Sequence, residues 1–88
     1  MNISKEKKDK ISEQILAHLY SIAPKPSFTK HIAFELARDE EFIKTLLKDL
    51  KNKRLVIEIK KNSKGLPYLR RSRWRLSDAA YNSYKKAQ

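Results

Sequence analysis

The chain has 88 residues, 40% of them apolar, enough for one small domain with a single core. It contains no Cys and a single Gly, which excludes disulfides and thiolate metal sites. Its 21 Lys and Arg face 10 Asp and Glu, a net charge of +11, and no apolar run approaches the length of a membrane span.

Met1 to Lys10 lacks the apolar centre of a signal peptide. Residues 1–8 read as a flexible basic tail, running into an amphipathic helix from about Lys5 to Ile22. Ile11, Ile15, Leu16, Leu19 and Ile22 recur at helical spacing on one face. Pro24 and Pro26 end that helix. Ser27 or Thr29 is suited to cap a second, short helix to about Ala37, with Ile32, Ala33 and Leu36 as its buried stripe.

After a turn of about three residues, Asp39 is a good N-cap for a third helix, Glu40 to about Lys53. Glu40 and Glu41 suit its positive end. Ile43, Leu46, Leu47 and Leu50 form the core face, while Lys44, Thr45, Lys48 and Lys51 point outward. Phe42 lies one position off the core stripe, paired with Leu46 or open to a partner. His18 and His31 have no metal-ligand spacing around them.

The β-branched run Leu55 to Ile59 and the alternating run before Leu76 flank a turn containing Asn62, Gly65 and Pro67, which predicts a hairpin. Alternation places Trp74 and Leu76 on the core face and Arg71, Arg73 and Arg75 on the other. Residues 54–75 hold eight basic side chains against Glu58 alone, so +7 of the net +11 lies there. Such a patch is the electrostatic footprint of a nucleic-acid binder, since guanidinium groups pair with phosphate. Lys60, Lys61, Lys64 and Arg70 belong to the same patch, and Tyr68, near the tip, could stack on a base or ribose. Ser77 then caps a last helix, Asp78 to about Lys86, with Ala80, Tyr81 and Tyr84 for packing.

The order helix, helix, helix, strand, strand, helix resembles the winged helix-turn-helix superfamily, in the style of its small archaeal members. The matching residues are Ile32-Ala33-Phe34-Glu35-Leu36, Asp39 to Ile43, Leu47 to Val56 and Trp74 to Ala80. The resemblance implies one α+β domain over residues 1–88: a three-helix core, a two-stranded wing and a short C-terminal helix. It makes the third helix the recognition helix, with Glu40, Glu41, Lys44, Thr45 and Lys48 at the contact positions, and the hairpin tip a wing beside it. Two departures stand out. Arg54 occupies a position where Gly is usual. The acidic start of the third helix opposes phosphate, unless one glutamate accepts a hydrogen bond from cytosine.

The expectation is a small cytoplasmic, nucleoid-associated DNA-binding protein, a transcriptional regulator or chromatin factor, with no enzymatic activity and no cofactor or metal. Lys61, Lys64, Arg71, Arg73 and Arg75 would grip the backbone, and Lys44, Thr45 and Lys48 would reach the groove. RNA binding in a ribonucleoprotein is the first alternative. A protein-docking module using Phe42, Tyr81 and Tyr84 is the second. A homodimer is open to it, and no membrane partner is expected.

Overall fold

A computed structural model describes residues 4–61, 64–65 and 71–87. The elements are α1 (Lys5–Ile22), β1 (Ser27–Phe28), α2 (Thr29–Leu36), α3 (Glu40–Asn52), β2 (Val56–Ile59), β3 (Arg73–Leu76) and α4 (Asp78–Lys86). α1 starts at Lys5, where the spacing predicts it, and its Ser4 cap accepts from the Lys7 N–H.

The helices bury the stripes that their spacing announces. Ile11, Ile15, Leu16 and Leu19 of α1 meet Ile32 and Ala33 of α2 and Ile43, Leu46, Leu47 and Leu50 of α3. Val56, Trp74 and Leu76 close this core from the sheet, and Ala80 from α4. Leu36, Phe42, Tyr81 and Tyr84 are half-buried against it. Tyr20 stacks on Tyr84 at 5.5 Å between ring centroids and meets Tyr81 at 5.4 Å, which fastens α4 to α1.

The two wing strands β2 and β3 pair as expected, and a third strand, β1, joins them in one sheet. The sheet has three antiparallel strands in the order β1-β3-β2. Ser27 pairs with Trp74 and Phe28 with Arg73, so the segment before α2 becomes an edge strand. That pairing also overturns the expected cap of α2. Phe28 holds the N-cap position without a side-chain hydrogen bond. The Thr29 hydroxyl instead accepts from the Trp74 indole at 2.8 Å. Trp74 is 0% exposed, so its one N–H must find a partner inside the protein, and Thr29 supplies it.

Both turns after α2 and α3 use left-handed residues that are not glycine. Ala37 has φ 53° and Arg54 has φ 62°. Around Arg54 the Leu55 N–H reaches the Leu50 carbonyl at 3.0 Å and the Arg54 N–H reaches Lys51 at 2.9 Å. This closes a Schellman motif that normally favours Gly at the left-handed position. A side chain there costs on the order of 1–2 kcal/mol, partly offset by the greater freedom glycine brings to the unfolded chain. Arg54→Gly is therefore expected to raise stability by about 0.5–1 kcal/mol in urea melts; a fall would mean that the Arg54 side chain makes compensating contacts.

Candidate nucleic-acid interface

α3 begins at Asp39, whose carboxylate accepts from the Phe42 N–H at 3.0 Å. The cap fixes the helix start and leaves Glu40, Glu41, Lys44, Thr45 and Lys48 exposed along one side. The Thr45 hydroxyl donates back to the Glu41 carbonyl at 3.0 Å. Beside this face, α3, the foot of the wing and the start of α2 enclose an open groove of about 660 Å³. Lys30, Lys44, Lys48, Lys51, Lys60 and Arg71 line it, opposed by Glu40, Glu41 and Glu58. Six cations against three carboxylates leave the groove positive.

Glu58 ties the two walls together. It accepts from Lys51 Nζ of α3 at 2.9 Å and from Ser72 Oγ of the wing at 2.6 Å. Burial pushes its carboxyl up, but the bonds from Ser72 and Lys51 and the charges of Lys51 and Lys60 outweigh it and hold it below the ordinary range. A depressed folded-state value means that Glu58 stabilises the fold above the unfolded carboxylate range, and that this contribution is lost as pH falls through the folded value. Glu58→Gln should lower stability by about 1–2 kcal/mol at pH 7. Its urea melts should converge with the native chain's in the acid range; a constant gap at all pH values would show that the charge does not matter.

The expected row of arginines divides in the structure. Glu58 and Trp74 are direct partners across β2 and β3, so the face they share is the one that meets α3. Arg73 and Arg75 pair with Ile59 and Ile57 on the opposite face. The Arg73 guanidinium donates to the Lys61 carbonyl at 3.0 Å. Arg75 donates to the Leu76 carbonyl at 3.0 Å and lies 3.6 Å from Asp78. Arg71, before β3 begins, sits at the groove with its guanidinium 5.1 Å from the centre of the Phe28 ring. Lys60, Lys61 and Lys64 are exposed. Tyr68 and Arg70 lie outside the described residues.

Several groove residues lie outside the expected contact set, among them Phe28, Lys30, Lys51, Asn52 and Ser72. Lys30 and Phe28 reach it only because β1 pairs with β3, and a two-residue strand offers no alternation to read. Phe42, offered as a docking residue, is instead half-buried against the core, while Phe34 on α2 is 82% exposed. Among the described residues no cluster of His, Cys, Asp or Glu could hold a metal ion. No helix among the described residues is long and apolar enough to cross a membrane.

Among solved structures the chain is similar to a mutant of S. aureus MepR from a multidrug-resistant clinical isolate. The TM-score is 0.68 at 20% identity, over 85% of this chain and 51% of that one. A mutant of Lactococcus lactis ZitR gives 0.64 at 20% identity, over 83% of this chain and 47% of ZitR. The chain has the winged helix-turn-helix fold.

In this winged helix α2 and α3 are the helix-turn-helix pair, and β2 and β3 carry the wing. A further MepR mutant, bound to an oligodeoxyribonucleotide, is similar at TM-score 0.63 and 22% identity, over 94% of this chain and 68% of that one. The winged helix spans about half the length of the first two relatives. No protein-family model and no curated relative matches the chain.

Proposed function

We propose that this winged helix binds double-stranded DNA as a small, non-enzymatic transcriptional regulator or chromatin-associated factor, with the groove between α3 and the wing as its contact surface. The observation that carries the reading is the convergence of Lys30, Lys44, Lys48, Lys51, Lys60 and Arg71 on that groove. Three parts of the chain, α2, α3 and the wing, supply them, so the concentration of charge is a property of the fold. A MepR mutant of the same fold is bound to an oligodeoxyribonucleotide, which supports the same partner here.

Lys44, Thr45 and Lys48 lie on the exposed side of α3, where a recognition helix meets the major groove. Lys60, Lys61, Lys64 and Arg71 contact backbone phosphates from the wing; of the residues outside the described ones, Arg70 would add a phosphate contact and Tyr68 a stack on a base or ribose. Arg73 and Arg75, on the other side of the sheet, add to the positive field. Glu40 and Glu41 temper non-specific attraction and can accept from a cytosine amino group. Such a protein works in the cytoplasm, on the nucleoid. A homodimer would use α1 and α4, and sedimentation at micromolar concentration reads it.

The test is a competition titration at fixed salt with labelled duplex DNA against unlabelled duplex, structured RNA and single strands. Duplex should compete best. Preferential competition by structured RNA would replace this reading with a ribonucleoprotein role, and no binding above background would leave a protein-docking role.

A further inference from the structure

Phe28 has a position that its place in the sequence does not announce. It pairs with Arg73 in β1 and occupies the N-cap of α2. It lines the groove, yet it belongs neither to the buried core nor to the half-buried residues packed on that core. Two aromatic contacts define its ring. The Arg71 guanidinium lies 5.1 Å from its centre, and the His31 ring meets it edge-on at 5.9 Å.

An exposed arginine samples many rotamers, and holding it for one partner loses side-chain entropy. Stacking on an aromatic face removes part of that loss in advance. A cation–π contact occupies the face of a guanidinium and leaves its N–H donors, which lie in the plane, able to bond a phosphate. Arg73 and Arg75 are held differently: each donates to a backbone carbonyl, of Lys61 and Leu76 respectively. Among the described wing arginines, Arg71 combines a groove position with an aromatic contact.

We propose that Phe28 is a positioning residue, which holds the Arg71 guanidinium at the mouth of the groove so that bound DNA meets a preset pair of donors. This rests on the DNA-binding reading above and adds β1 to the wing's machinery. The aromatic platform and its arginine lie far apart in sequence, so the β1–β3 pairing that brings them together is part of the recognition device.

A double-mutant cycle tests it, with a labelled random-sequence duplex as probe at two salt concentrations. Phe28→Leu should weaken binding about two- to fivefold, the range of an exposed cation–π contact. Phe28→Tyr, which keeps the aromatic face, should stay within about twofold. In the Arg71→Ala background Phe28→Leu should have no further effect, because it acts through Arg71. An undiminished effect in that background, or none in the native one, overturns the proposal.

A second readout needs no DNA. The Arg71 Nε–H proton of the free protein should show the upfield shift of a group over an aromatic ring, lost in Phe28→Leu and kept in Phe28→Tyr; an ordinary shift in the native protein also overturns it. Native protein that fails to bind duplex sinks the DNA reading and this inference together. Native binding without coupling sinks the inference alone.

Discussion

Replacing Trp74 with alanine is expected to cost about 3–5 kcal/mol and to unfold much of the protein near room temperature. Domains have only about 0.05–0.15 kcal/mol of stability per residue, so a loss of that size takes a large part of the total. Trp74 is the largest fully buried side chain and stands where the sheet meets the helical core. Its indole N–H also fixes Thr29 at the start of α2 across 45 positions of sequence. Trp74→Phe separates the two contributions. It keeps most of the buried area but leaves the buried Thr29 hydroxyl without its donor, at about 1–2 kcal/mol. Urea melts of both variants check this, and a folded, stable Trp74→Ala would place the indole outside the core.

The second large effect concerns charge on the two sides of the sheet. Lys44→Ala with Lys48→Ala removes two cations from the exposed side of α3 that lines the groove. Each phosphate contact contributes about −0.9 to the slope of log affinity against log salt, so this pair should flatten the slope by about two units. Binding to every sequence should weaken about tenfold or more. Arg73→Ala with Arg75→Ala removes the same charge from the face turned away from α3. That pair acts only through the field of the protein and should change the slope by less than about half a unit. Equal losses from the two pairs would show that DNA lies against both faces, and the groove-centred model would fail.

These expectations differ from what the alternating arginines suggest by themselves. Alternation in Arg73-Trp74-Arg75-Leu76 correctly assigns tryptophan and leucine to the core. It says nothing about which neighbour covers the core face. In the fold that neighbour is α3 together with α1, so alternation itself carries Arg73 and Arg75 away from the recognition helix. The same uncertainty does not touch Lys44 and Lys48, because helical spacing relative to Ile43, Leu46 and Leu47 fixes their side directly.

The sequence by itself determined the four helices, their buried stripes, the Asp39 and Ser77 caps and the hairpin that follows α3. Each rests on interactions within a few residues, which periodicity and turn chemistry encode. The resemblance to winged-helix proteins also marked Arg54 as unusual, and the left-handed backbone there is the physical reason for a glycine. Tertiary structure alone decided β1, the Trp74–Thr29 bond, the Lys51–Glu58–Ser72 link and the seat of Arg71 on Phe28. Every one of these joins residues that local periodicity treats as unrelated. Ser27 and Phe28 are too few to show alternation, and their strand exists only because β3 offers an open edge beside them. The groove is built from those same long-range pairings, which is why its charge could be counted from the sequence but its shape could not.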